Sequence, residues 1–120
     1  MSAMMRVHNV SRDTELAHRA AVADSFWRRL RGLLGRSGLE PGEGLVIVPC
    51  TSVHMLGMKF PLDVLFLHRD GTILKQLSDL QPGQFGPLVW RSHLAVELPA
   101  GTIAATGTVP GDRIILEPVA

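Results

Sequence analysis

The chain has 120 residues, of which 46% are hydrophobic and 19% charged, and its formal net charge is +1. A chain of this length can bury about two thirds of its unfolded surface, so we predict a single domain over residues 1–120. The composition excludes a disordered protein, and the nearly balanced charge argues against nucleic acid as a partner.

The single cysteine and the N-terminal segment indicate the cellular compartment of the protein. Cys50 cannot form an internal disulfide, so nothing in the chain marks an oxidising environment. The N-terminus lacks the apolar stretch of a secretory signal, and no window approaches the roughly 18 apolar residues of a membrane span. We therefore expect a cytoplasmic protein that does not contact a membrane.

The first third of the chain predicts a strand, an ambiguous segment and a helix. Residues 5–10 can form a short strand, whereas residues 16–23 fit a helical face and a strand face equally well. Asp24 or Ser25 can then cap a helix. Its apolar stripe, at helical spacing, consists of Phe26, Trp27, Leu30, Leu33 and Leu34.

The predicted helix is also rich in arginine. Residues 1–60 contain eight Lys or Arg against five acids, and residues 61–120 contain four against six. Nearly all of the excess is the group Arg28, Arg29, Arg31 and Arg36, which we place opposite the apolar stripe. A solvated helix face is the ordinary explanation, and Arg28, Arg31 and Arg36 are the candidate contacts for an anion or a partner.

The rest of the chain has the pattern of short strands and turns. Apolar runs predict strands at residues 45–48, 62–68, 72–77, 94–98 and 113–117. An Asp-Gly turn at residues 69–71 favours a tight hairpin, and residues 81–87 contain too much Pro and Gly for regular structure. The predicted fold is α+β and β-rich: a small barrel-like or rolled, mostly antiparallel sheet with one amphipathic helix.

The most unusual segment is residues 50–63. It places a thiol, an imidazole and two thioethers within nine residues, at Cys50, His54, Met55 and Met58. These soft groups can bind Cu(I) or zinc, but a zinc site needs three or four protein ligands and only Cys50 and His54 have suitable spacing. We therefore predict no metal and no other cofactor, although Cys50 and His54 can also be a nucleophile and its base.

Carboxylates interrupt two of the predicted strands. Asp63 lies in the run at 62–68 and Glu97 in the run at 94–98. A buried carboxylate needs a partner, and strand alternation favours the solvent side for either one alone. If both face one cleft, they can act as an acid and a base. A third acid, Asp112, is expected to accept hydrogen bonds from local backbone amides and to shape the entry to the last strand.

Four separated blocks of the chain, covering about residues 23–115, resemble a small prokaryotic family known as domain of unknown function 192. The blocks are Arg31-Gly32-Leu33-Leu34-Gly35-Arg36 with Leu39; His54-Met55, Met58 and Pro61-Leu62-Asp63-Val64 with Phe66-Leu67; Val96-Glu97-Leu98 with Ala100-Gly101; and Gly111-Asp112. The resemblance implies a compact β-rich fold with one helix, which favours a strand for residues 16–23. It implies no activity.

The leading hypothesis is a non-catalytic binding or accessory module whose partner is an unknown protein or a small ligand. Its surface is expected around residues 50–63 and 94–98, because unusual residues concentrate there without a complete catalytic set. No glycine-rich phosphate loop and no G-x-S-x-G elbow is present. The alternative is a small hydrolase that uses Cys50 with His54, or Asp63 with Glu97.

Overall fold

A computed structural model of the chain describes residues 4–25, 29, 33 and 35–119. The elements are β1 (Met4–Asn9), β2 (Thr14–Ala23), β3 (Glu43–Ile47), β4 (Leu62–Leu67), β5 (Ile73–Leu80), β6 (Leu94–Pro99), α1 (Thr102–Thr106) and β7 (Ile114–Pro118). The strands form one sheet in the order β5-β4-β6-β3-β2-β1-β7. The prediction of a β-rich, rolled sheet is confirmed.

The ambiguous segment at 16–23 lies within β2, as the family resemblance implied. The amphipathic helix predicted after Ser25 lies largely outside the described residues, but Arg29 and Leu33 within it are helical. The short helix α1 was not predicted. Its five residues are too few to show a helical period, and the glycines on either side have the left-handed backbone typical of turns.

The sheet curls until its two edge strands meet at one end. Within the described residues, β2–β3 is the one parallel pair and every other strand pair is antiparallel. Thr72, before β5, pairs with Arg113, before β7, and the Ile114 N–H donates to the Gly71 carbonyl at 2.9 Å. Gly71 has φ +92°, and a Cβ there would overlap the Ile114 carbonyl oxygen, so the predicted hairpin requires glycine.

The central strands are covered on both faces. All six residues of β4 are buried, as expected for a strand packed on two sides. On one face, Val64 and Phe66 pack into a core that we call the outer core, with Leu45 and Met55. On the other face, Leu65 packs into the inner core, which also contains side chains from both ends of the sheet. A polar side chain on either face of β4 is therefore buried.

Two irregular segments, residues 50–58 and 81–89, cover part of the outer core. Backbone hydrogen bonds join them, from the Met55 N–H to the Gln84 carbonyl at 2.7 Å and from the Val89 N–H to the Thr51 carbonyl at 2.8 Å. Met55 and Met58 point inward and are 0% and 6% exposed. The unusual segment is thus a tightly held cover over apolar side chains.

Asp112 accepts a local backbone amide, as predicted, and also two side chains from the β1–β2 region that were not predicted. Its Oδ2 accepts hydrogen bonds from the Val109 N–H at 3.1 Å, from Asn9 Nδ2 at 3.0 Å and from Arg12 Nε at 2.6 Å. Burial raises the pKa of Asp112, but hydrogen bonds led by that from Asn9 outweigh it and leave the pKa below its ordinary value. The carboxylate therefore fixes the turn that leads into β7.

Candidate functional site

A buried ion pair lies within the outer core. Arg29 Nε donates to Glu97 Oε1 at 3.0 Å, and Arg29 Nη2 donates to Glu97 Oε2 at 2.7 Å. The two side chains are 4% and 0% exposed, and Nη2 also lies 3.9 Å from the Met55 sulfur. This two-point geometry is the strong form of an arginine–carboxylate contact, and it lets each charge compensate the other away from water.

The solvent-facing positions expected for Arg29 and Glu97 are wrong. Alternation along β6 places Glu97 on the same face as Val64 of β4, and that face is covered rather than solvated. Arg29 precedes Leu33 by four residues, which puts both on one helical stripe. This spacing is the feature of the sequence that indicates burial of Arg29. A buried guanidinium in turn needs a buried acid such as Glu97.

Asp63 is also fully buried, and its expected solvent exposure is wrong for the same reason. Its Oδ1 accepts the Asp79 N–H at 2.8 Å, while its Oδ2 accepts the N–H groups of Gly101 at 3.1 Å and Ile103 at 2.9 Å. The carboxylate thus joins the end of β5 to the start of α1, and all three hydrogen bonds come from backbone. Asp63 acts as a structural anchor.

The two carboxylates do not share a cleft. Across the β4–β6 pair, Asp63 lies opposite Leu98, and Glu97 lies opposite Val64. Leu98 belongs to the inner core and Val64 to the outer core, so the carboxylates point to opposite faces of the sheet. An acid–base mechanism that uses both is therefore excluded by this geometry.

A cavity of about 270 Å³ opens beside the ion pair. It is lined by Arg29, Ile47, Pro49 and the segment 50–54, and we call it the Cys50 cavity. Its size approaches the lower end of the range that holds small organic ligands. Because Glu97 neutralises Arg29, the ion pair adds no net charge to the wall.

Cys50 and His54, the two predicted members of the site, both line this cavity. The Cys50 thiol donates to the Ser52 carbonyl at 3.2 Å, and burial raises the pKa of the thiol. His54 Nδ1 accepts the Leu56 N–H at 3.3 Å, and the imidazole lies 6.0 Å from the Phe85 ring, between centroids. Raising the thiol pKa opposes nucleophilic chemistry, since the thiolate is the reactive form.

Of the three predicted anion contacts, Arg36 alone lies among the described residues. Arg28 and Arg31 lie outside the described residues. Arg36 donates Nη2 to Glu43 Oε1 at 2.8 Å and Nη1 to Glu43 Oε2 at 3.3 Å. This hydrogen bonding lowers the pKa of Glu43, so Arg36 is occupied by an acid of its own chain.

Neither a metal-ligand cluster nor a membrane-spanning helix occurs among the described residues. Within them, no three His, Cys, Asp or Glu side chains come close enough together to hold a metal ion. In the same part of the chain, no helix has the length and apolarity to cross a membrane.

Alkylation of Cys50 across a pH series is expected to give a reactivity midpoint above the ordinary thiol pKa of about 8.5, because burial disfavours the thiolate. The measurement is the labelling rate with a small neutral reagent between neutral and alkaline pH. A cysteine introduced by S78C on a C50S background supplies an exposed reference thiol, since Ser78 is exposed on β5. A midpoint for Cys50 below that of this reference would contradict the prediction.

Comparison with known proteins gives one family match and two similar solved structures. The model of the family domain of unknown function 192, described as uncharacterized ACR, matches residues 7–116. A "putative transcription regulator" from Sinorhizobium meliloti 1021 is 27% identical, with 97% of this chain and 94% of that chain covered and a TM-score of 0.76. A protein of unknown function from Novosphingobium aromaticivorans DSM 12444 is 22% identical, with 95% and 84% covered and a TM-score of 0.79. No curated protein matches significantly.

Proposed function

The chain belongs to the domain of unknown function 192 family, and we propose that it is a small, non-catalytic binding module that holds a neutral small molecule in the Cys50 cavity. The observation that carries the proposal is that Arg29 lines the cavity while its charge is compensated by the buried Glu97 behind it. A guanidinium there offers hydrogen-bond donors without an uncompensated charge. Its ligand would therefore contribute acceptor oxygens rather than a negative charge.

The chemistry of the lining supports a small ligand. Ile47 and Val53 supply apolar contact, and Thr51 and Ser52 supply hydroxyl groups. A largely apolar pocket with a few placed polar groups is typical of small-molecule sites. An anionic ligand would compete with Glu97 for Arg29 and leave one negative charge unpaired, which is costly because the Glu97 carboxylate is fully buried.

The wall of the cavity is held in place before any ligand binds. The Cys50 N–H donates to the His93 carbonyl at 3.0 Å, and Thr51 accepts the Val89 N–H at 2.8 Å. These bonds tie the lining segment to the β6 end of the sheet and to the second covering segment. A preformed wall lowers the ordering cost of binding, which favours a ligand site.

Neutral fragments that bind are expected to slow the labelling of Cys50, and their carboxylate analogues are expected to protect it much less. The physical reason is that Cys50 lines the cavity while Glu97 already compensates Arg29. The measurement is labelling rate against fragment concentration, after native mass spectrometry has screened the purified protein for a retained small molecule. The C50S/S78C protein is the matched control, and fragments should leave its labelling unchanged. Equal protection by carboxylates, or protection by no fragment, would refute the proposal.

A thiol hydrolase is the second candidate, because Cys50 and His54 line the same cavity. It requires a thiolate at neutral pH, so the pH series on Cys50 decides between the candidates: a depressed midpoint supports the hydrolase and a raised one the binding module.

We also propose a cytoplasmic location, which the free thiol of Cys50 favours.

A further inference from the structure

Two shallow depressions adjoin at the β4–β5 hairpin, with volumes of about 380 and 280 Å³. Both are lined by His68, Arg69 and His93. The first continues to Trp90 and Arg91, and the second continues to an apolar floor that includes Leu67, Leu94, Ile114 and Leu116. We call the two together the hairpin groove. It shares only Pro49 with the described lining of the Cys50 cavity.

The hairpin groove has an excess of positive charge. Among the described residues, neither Arg69 nor Arg91 has a carboxylate within 4.0 Å. Asp70 also lines the second depression; its Oδ1 accepts the Thr72 N–H at 2.9 Å and lies 3.2 Å from His68 Nδ1, so the groove carries two guanidinium groups against one carboxylate. Guanidinium groups that pair with no described acid are suited to phosphate, whose oxygens match their planar, two-point geometry.

An exposed indole stands next to these charges. Trp90 is 82% exposed, the largest value among the exposed apolar side chains of the described residues. The backbone around it is fixed, because the Ser92 N–H donates to the Val89 carbonyl at 3.0 Å and the His93 N–H donates to the Leu67 carbonyl at 2.7 Å. A solvent-facing indole on a fixed backbone offers a flat surface on which a planar ring can stack.

We propose that the hairpin groove binds a nucleoside phosphate, with the base stacked on Trp90 and the phosphate held by Arg69 and Arg91. The combination selects the ligand, because arginines alone would accept any anion and an indole alone any planar ring. No glycine-rich loop is needed, since side chains rather than backbone amides supply the donors. The site is independent of the Cys50 cavity and of the function proposed for it.

The test is a titration with adenosine monophosphate, followed by tryptophan emission. We expect saturable quenching in the unsubstituted protein and its loss in W90F, which retains Trp27 as the remaining indole. R69Q and R91Q should each raise the Kd about tenfold, because each removes a charge-assisted hydrogen bond. K75Q is the matched control and should leave the Kd unchanged, since Lys75 is exposed and lines neither depression.

Comparison ligands make the outcome decisive. Adenosine and ribose 5-phosphate should each bind about tenfold more weakly than adenosine monophosphate, as each lacks one of the two recognised groups. Equal binding of adenosine, or equal effects of R69Q and K75Q, would overturn the proposal. So would tighter binding of an oligonucleotide with a steep loss of affinity at high salt, because that result would assign the groove to single-stranded nucleic acid. All four substituted side chains are exposed, and circular dichroism of each variant verifies the fold.

Discussion

Replacing Glu97 with Gln is expected to lower the free energy of unfolding by about 3–5 kcal/mol, because it leaves the Arg29 charge buried without its carboxylate. Domains of this size are stable by only about 5–15 kcal/mol, so the loss would be a large part of the total. Urea unfolding followed by circular dichroism measures it. E15Q is the control: it breaks the pair of Glu15 with Arg6, which lies on the surface, and should shift the midpoint little.

The double variant R29M/E97L distinguishes the cost of one unpaired buried charge from the contribution of the ion pair itself. Two apolar side chains of similar volume avoid the desolvation cost of both charges, so the double variant should be more stable than E97Q and close to the original protein. If E97Q proved as stable as E15Q, the pair would contribute nothing to the fold. If R29M/E97L folds but neutral fragments no longer slow the labelling of its Cys50, the guanidinium itself is a ligand contact.

Asp63→Asn is expected to destabilise the protein by about 3 kcal/mol, the second largest effect. The carboxylate accepts three backbone N–H groups, and hydrogen bonds to a charged group contribute about 1.5–3 kcal/mol each without being additive. An amide removes the charge, keeps one acceptor oxygen and turns a donor toward other donors. Urea unfolding gives the total loss.

Amide hydrogen exchange locates the Asp63 effect. The amides of Asp79, Gly101 and Ile103 should exchange faster in D63N, because these are the three donors to the carboxylate. D13N is the control, since Asp13 is exposed on the turn between β1 and β2. Unchanged exchange at Gly101 and Ile103 would show that Asp63 does not hold the start of α1.

Much of the fold could be predicted because its signals are local. The apolar run of β4 and the Asp-Gly turn after it define a hairpin without reference to the rest of the chain. The short helix α1 could not be predicted in this way. Its first turn contacts a residue that is far away in the chain: the Ile103 N–H donates to Asp63, 40 residues earlier.

The candidate site was predicted only in part. Cys50 and His54 could be predicted as site residues from the chemistry of their side chains, and both line the cavity. Arg29 was placed with the solvated arginines, although its spacing from Leu33 pointed inward. Trp90 and its neighbours follow no period, so nothing in the linear pattern indicated that they meet the β4–β5 hairpin.

Most strands, and the side chains of a strand that share a face, could be predicted from the residue pattern because both follow from local backbone geometry. Whether a face meets water depends on how distant segments pack against it. Residues 50–58 and 81–89 fold over the outer core, while the curl of the sheet encloses the inner core. For that reason Glu97 and Asp63, each in an alternating position that solvent could have occupied, became a buried ion-pair partner and a buried backbone anchor.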